Sequence, residues 1–215
     1  MIADLSLYLI TDAAAAERAG RTVLETVGLA VAGGVTAVQV RDKRGDARAM
    51  LELAVAIGDL VPAGVSVLVN DRVDVFLAAR RLSPAVVGVH IGQRDLPVEH
   101  VRALAGPDAV LGLSASTEAE LGLAAASAAV DYVGIGAVRA TATKPDAPLP
   151  LGIDGVVRLS GLTPLPAVAI GGIGIGDAAP LRAGGLAGIA VAAAIGAAAD
   201  PSAAAAGLAS AWRAA

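Results

Sequence analysis

Short β-branched runs alternate along the whole chain with longer stretches of mixed Ala, Leu and polar residues. Eight runs read as strands: Leu7 to Thr11, Ala37 to Arg41, Val65 to Asn70, Val86 to His90, Val110 to Ser114, Tyr132 to Ile135, Ala167 to Ile170 and Gly188 to Ala192. Helix-length segments separate them, near Thr22 to Ala32, Asp46 to Leu60, Val73 to Arg80, Val98 to Leu104, Thr117 to Ala128, Asp154 to Ser160, Ala178 to Ala183 and Ser202 to Trp212. Val65-Ser66-Val67-Leu68-Val69 is apolar almost without interruption, as expected of a parallel strand covered on both faces. Eight strand–helix units in 215 residues predict an α/β fold, a single-domain (β/α)8 TIM barrel spanning residues 1–215. A doubly wound sheet is the competing architecture. It usually carries a glycine-rich turn after its first strand, where this chain reads Thr11-Asp12-Ala13-Ala14.

Composition narrows the picture. The chain is 56% apolar but only 2% aromatic, so its core must be built from small aliphatic side chains with closely approaching backbones. A net charge of −4 and the scarcity of aromatic rings leave no basic footprint and no stacking platform, which excludes nucleic acid as a partner. The absence of cysteine excludes disulfides, thiolate nucleophiles and cysteine metal sites. Asp4 stands where a secretory signal would carry basic residues, and a cytoplasmic protein is expected. The uncharged stretch from Ala183 to Ala199 lies at the lower edge of membrane-spanning length, but its glycines mark it as a buried strand followed by a helix start, so no membrane association is expected. Trp212 is expected to anchor a final covering helix.

Unusual polar residues gather at the strand ends. Gln39, Arg41 and Lys43 alternate at period two and leave one face of an extended segment. Arg41 can grip a phosphate bidentately, Lys43 adds a point charge, and Gln39, set within an apolar run, needs a partner or a ligand. Asn70-Asp71 follows the third strand and Gly92-Gln93-Arg94-Asp95 the fourth. Asp71 and Asp95 together suit Mg2+ riding on a substrate diphosphate, although either taken singly reads as a helix cap. Ser114 ends the fifth strand, and Thr117 reads as the N-cap of the helix carrying Glu118 and Glu120. Thr141-Ala142-Thr143-Lys144 packs two hydroxyls and an ammonium into the base of a long irregular segment, a combination able to hold a phosphate. Gly171-Gly172-Ile173-Gly174 and the small-residue turn after the eighth strand offer backbone N–H groups to an anion. His90 reads as a core or supporting histidine and His100 as a surface helix residue. No nucleophile elbow surrounds Ser114.

In order, these motifs resemble thiamine phosphate synthase. The resemblance is carried by Leu7-Tyr8-Leu9-Ile10-Thr11-Asp12, Gly33 through Lys43, Val69-Asn70-Asp71-Arg72, Val89 through Pro97, Leu111-Gly112-Leu113-Ser114, Asp131 through Gly136, the TxTKP segment and Ala169 through Ile173. It implies a Mg2+-dependent transferase that joins hydroxymethylpyrimidine diphosphate to a thiazole phosphate, or its carboxylated form, giving thiamine phosphate and diphosphate. The implied route is dissociative. Diphosphate leaves first, the aminopyrimidine stabilises the methylene cation, and the thiazole nitrogen captures it without a protein nucleophile or general base. By position, Asp71 and Asp95 match the metal ligands. Gln39, Arg41, Lys43, Asn70, Ser114 and Lys144 match the pyrimidine diphosphate contacts, with Arg41, Lys43, Ser114 and Lys144 the expected catalytic set. Thr141, Thr143, Gly171, Ala192 and Ala193 match the thiazole phosphate site.

The chain departs from the family pattern at two places. Gly136-Ala137-Val138-Arg139-Ala140-Thr141 lacks two prolines and places Arg139 at an aromatic position, where it either contacts phosphate or points to water. Ala193 stands where many members carry serine. A thiazole tautomerase-like paralogue and a non-catalytic phosphate-binding barrel are the alternatives. The former would not need two carboxylates or the Gln39-Arg41-Lys43 set, and the latter would bind without turnover. A sugar-phosphate isomerase is disfavoured, because no glutamate follows the sixth strand to act as its base. The oligomeric state is left open, with a homo-oligomer allowed.

Overall fold

The computed structural model describes residues 3–42, 45–140 and 150–215. Eight parallel strands, β1 (Leu7–Ile10), β2 (Ala37–Val40), β3 (Ser66–Asn70), β4 (Val86–Ile91), β5 (Val110–Ser114), β6 (Tyr132–Gly136), β7 (Ala167–Ile170) and β8 (Gly188–Val191), close into a barrel in sequence order. Closure pairs Leu9 of β1 with Val38 on one side and with Val191 on the other, so no strand edge is left open. Each predicted strand is present, with ends shifted by a residue or so.

The described helices are α1 (Ala13–Arg18), α2 (Val23–Ala32), α3 (Ala47–Leu60), α4 (Val73–Ala79), α5 (Val98–Ala105), α6 (Glu118–Ala126), α7 (Gly152–Ser160), α8 (Ile175–Ala183), α9 (Ala193–Gly196) and α10 (Pro201–Arg213). Capping fixes where several of them start. Thr117 accepts from the Glu120 N–H at 3.2 Å while Glu120 accepts from the Thr117 N–H at 3.1 Å, the reciprocal pair expected of Thr117 as N-cap. Two short helices lie outside the eight predicted helix segments, the second of them where the stretch from Ala183 to Ala199 predicts a helix start. The first, α1, starts at Asp12, whose carboxylate accepts from the Ala15 N–H at 3.0 Å; the other is α9. Both are alanine-rich, so they carry no polar–apolar contrast to announce a helix. The uncharged stretch from Ala183 is divided among the end of α8, strand β8 and α9. Among the described residues, no helix is long and apolar enough to cross a membrane.

The core has two layers. Outward strand residues such as Leu9, Val38, Val69, Leu111 and Ile135 pack against the helices. The inward set, Tyr8, Ile10, Ala37, Leu68, Val110, Tyr132, Val168 and Ala190, fills the lumen. The small aliphatic core expected from composition holds for the outer layer, but both of the chain's tyrosines lie in the lumen, fully buried, with ring centroids 6.2 Å apart edge to face. Gly112 on β5 makes room for this packing: a Cβ there would sit 2.2 Å from the Tyr132 ring. Trp212 is buried on α10 with the Arg182 guanidinium 5.3 Å from its ring centre, the anchor the sequence suggests.

Candidate active site

At the C-terminal ends of the strands the barrel opens into a cavity of about 820 Å3. Its two sides differ in kind. The wall from β2 to β5 is made of polar side chains. Gln39 is buried at the floor, and Arg41 lies just beyond β2. Thr11 fixes the Arg41 backbone twice, its hydroxyl accepting from the Arg41 N–H at 2.8 Å and donating to the Arg41 carbonyl at 3.1 Å. Asn70 and Asp71 follow at β3, Gly92 to Asp95 after β4, and Ser114 at β5.

Asp71 has a left-handed backbone, with φ of 59°, and its N–H donates to the His90 carbonyl at 2.8 Å. Asp95 closes its own turn by accepting from the Gly92 N–H at 2.6 Å. Neither carboxylate caps the following helix: α4 and α5 begin at Arg72 and Pro97 without a side-chain cap. Capping, the simpler reading of each aspartate alone, is therefore set aside. Although Asp71 as a residue is exposed, its carboxyl lines the cavity and is pushed up to about 6, first by loss of water around it and then by Asp95 opposite. Asn70 and Arg41 oppose that shift. Two carboxyls close enough to hydrogen-bond each other suit a hard divalent cation, which would relieve their repulsion. Among the described residues there is no cluster of three or more His, Asp or Glu, so a cation here would draw its remaining oxygens from ligand and water.

The opposite wall, from β6 to β8, is made of aliphatic and small side chains and backbone. Pairing continues past the strands, with the Val138 N–H on the Ile170 carbonyl and the Arg139 N–H on the Gly171 carbonyl, each at 2.9 Å. This close approach requires glycine at 171, where φ is 94° and a Cβ would lie 2.6 Å from that of Ala137. Ala192, Ala193 and Ala194 complete the wall. Arg139 takes neither of its two expected roles. Its guanidinium forms a two-pronged pair with Asp177, Nη2 lying 2.7 Å from Oδ1, and also donates to the Gly172 carbonyl at 3.3 Å. Arg139 holds the Asp177 carboxyl below the usual carboxylate range. Asp177 in turn accepts from the Gly174 N–H at 2.8 Å, so one side chain ties the turn after β6 to the start of α8.

Of the sequence candidates, Gln39, Arg41, Asn70, Asp71, Asp95, Ser114, Gly171, Ala192 and Ala193 all line this one cavity. Lys43, Thr141, Thr143 and Lys144 lie outside the described residues. Tyr8, Tyr132, His90 and Gln93 also line it, and the sequence reading missed them or ranked them low. For Tyr8, Tyr132 and His90 the signal is strand parity. Period-two alternation places Tyr8 with Ile10, Tyr132 with Gly134 and His90 with Gly88 on the faces that point inward.

Fold and cavity together define a (β/α)8-barrel protein with a polar, ligand-sized mouth. Residues 7–195 match the family described as thiamine monophosphate synthase, and the chain belongs to that family. It is 47% identical over 198 residues to a thiamine-phosphate synthase of Azorhizobium caulinodans, covering 92% of this chain and 90% of the relative. It is 42% identical over 202 residues to that of Albidiferax ferrireducens, covering 94% and 89%. A solved thiamine phosphate pyrophosphorylase from Pyrococcus furiosus superposes with a TM-score of 0.83 at 32% identity, covering 98% and 96% of the two chains.

Proposed function

We propose that this chain is a transferase of thiamine biosynthesis that condenses 4-amino-2-methyl-5-hydroxymethylpyrimidine diphosphate with 4-methyl-5-(2-hydroxyethyl)thiazole phosphate, or its carboxylated form, giving thiamine phosphate and diphosphate. The observation that carries this reading is the convergence, in a member of this family, of Gln39, Arg41, Asn70, Asp71, Asp95, Ser114 and Gly171 on one cavity. Both half-sites belong to one domain, residues 1–215.

The two walls divide the substrates. Gln39 and Ser114 hold the pyrimidine edge, while Arg41 and Asn70 bind its diphosphate, joined by Lys43 and Lys144. The backbone at Gly171 and around Ala192–Ala193 receives the thiazole phosphate with the hydroxyls of Thr141 and Thr143. The Ala193 departure removes a hydroxyl but leaves the main-chain donors. Asp71 and Asp95 would hold Mg2+, which when bound neutralises charge on the departing diphosphate. Arg41, Lys43 and Lys144 serve the same end: a unit charge about 4 Å from another contributes ~4 kcal/mol at an effective dielectric near 20. The thiazole nitrogen is the nucleophile, so no side chain need take a proton from it. A cytoplasmic location, small-molecule partners only, and no nucleic acid or membrane fit this chemistry. The Asp71–Asp95 pair also argues against a tautomerase, which would have no diphosphate to release.

The test is to supply both substrates with Mg2+ and follow thiamine phosphate as thiochrome fluorescence, beside Asp71→Ala. Product from the wild type alone supports the synthase. Binding of either substrate without turnover would point to a phosphate-binding barrel.

A further inference from the structure

Five side chains from five strands form an unbroken hydrogen-bonded row across the lumen. Gln39 Nε2 donates to Tyr8 Oη at 3.0 Å, and Tyr8 Oη lies 3.1 Å from Tyr132 Oη. Tyr132 Oη is 2.9 Å from His90 Nδ1, and His90 Nε2 is 3.0 Å from Ser114 Oγ. Gln39, Tyr8, Tyr132 and His90 are each buried at 8% exposure or less, so water does not loosen the row. Burial holds the Tyr8 phenol up at about 12 and Tyr132 well above its usual value, so both are neutral hydroxyls with one proton each to give.

Proton counting fixes a direction. With Gln39 donating to Tyr8, the Tyr8 proton goes to Tyr132, the Tyr132 proton to His90 Nδ1, and a neutral imidazole then donates from Nε2 to Ser114. Gln39 is left presenting its carbonyl oxygen to the cavity, and Ser114 its hydroxyl proton. While the imidazole stays neutral, reversing the sense at one end forces reversal at every contact. A mixed state opposes two protons or two lone pairs in a buried place, which disfavours it about tenfold or more.

We infer that Tyr8, Tyr132 and His90 are positioning residues forming a one-way relay that locks the hydrogen-bonding sense of Gln39 to that of Ser114, so that one end of the row offers the ligand an acceptor and the other a donor. The amine and ring nitrogen of an aminopyrimidine complement that pair. The ligand half of this inference rests on the reading of Gln39 and Ser114 as pyrimidine contacts; the relay itself does not.

The relay is tested first without ligand, by 15N NMR of the imidazoles in a His100→Gln background that leaves one histidine. His90 should carry its proton on Nε2. Gln39→Glu places at position 39 a carboxylate that can only accept, which should reverse the row and move the proton to Nδ1, with both tyrosines intervening. The same tautomer in both proteins overturns the relay. The ligand half is tested by Tyr8→Phe, assayed with the natural pyrimidine diphosphate and with an analogue whose amine is replaced by methoxy, an acceptor beside an acceptor. The wild-type preference in kcat/KM should fall about tenfold in the variant, and equal losses on both substrates would overturn the selection, also where Gln39→Glu fails to fold. A wild type that turns over neither substrate removes the proposed function, while the tautomer comparison still decides the relay.

Discussion

The two walls of the cavity are built by opposite means. From β2 to β5, side chains with charge or directed polarity face inward; from β6 to β8, glycine and alanine bring the main chain itself to the surface. The first wall can be altered one functional group at a time. The second can be altered only by adding bulk or by moving backbone, so its variants should damage shape before chemistry.

Four substitutions and one titration sharpen this contrast. Asp95→Ala should lower turnover by about 10²–10³-fold while leaving thiazole phosphate affinity within a few-fold, measured by steady-state kinetics and calorimetry; unchanged turnover at limiting Mg2+ would remove Asp95 from the site. Gly171→Val should do the reverse, because a side chain there meets Ala137 and is strained at positive φ. We expect thiazole phosphate binding to weaken at least tenfold with pyrimidine diphosphate binding retained. Gly112→Ala lies beneath both walls and should destabilise the fold by about 1–3 kcal/mol through collision with the Tyr132 ring, read as a shifted urea midpoint. Arg139→Ala should lower the Tm slightly by untying the turn after β6 from the start of α8. It should also raise the KM for thiazole phosphate alone. A stability loss with no KM change would confine the Arg139–Asp177 pair to a role in folding.

A pH dependence of the metal-free protein is expected as well. Folding raises the Asp71 pKa from 3.8 to about 6, so the folded state holds that proton more tightly than the unfolded chain. The associated stability is present below 3.8 and is lost as pH rises through about 6. Thermal melts across this window should therefore decline for the wild type, decline less for Asp95→Asn, and recover on addition of Mg2+.

Strand positions were legible in the sequence because parallel strands buried on both faces leave continuous apolar runs, and the polar wall because Gln39, Arg41, Asn70, Asp71 and Ser114 interrupt or end those runs. The relay was hidden for a physical reason. Its five members stand on five strands and become neighbours only when the barrel closes; no local pattern links Tyr8 to Tyr132. Gly112 carried a trace, since a glycine within a strand often marks the close approach of another group. The partner of Arg139 was equally out of reach, because Asp177 lies 38 residues away in the first turn of α8, beyond the glycines that follow β7. Asp71 and Asp95 looked like caps singly, and only their approach to each other on one wall of the cavity separates them from that role.

Barrel closure also sets the order of events during synthesis. Leu7 to Leu9 must wait until Ile189 to Val191 have been made before β1 gains its second neighbour. Until then a nascent chain exposes two unpaired sheet edges and an open apolar lumen, surfaces on which other chains can add. Arrival of β8, rather than completion of any one strand–helix unit, is thus the moment at which the barrel becomes safe from its neighbours, and truncation just before β8 should yield aggregate in place of a smaller barrel.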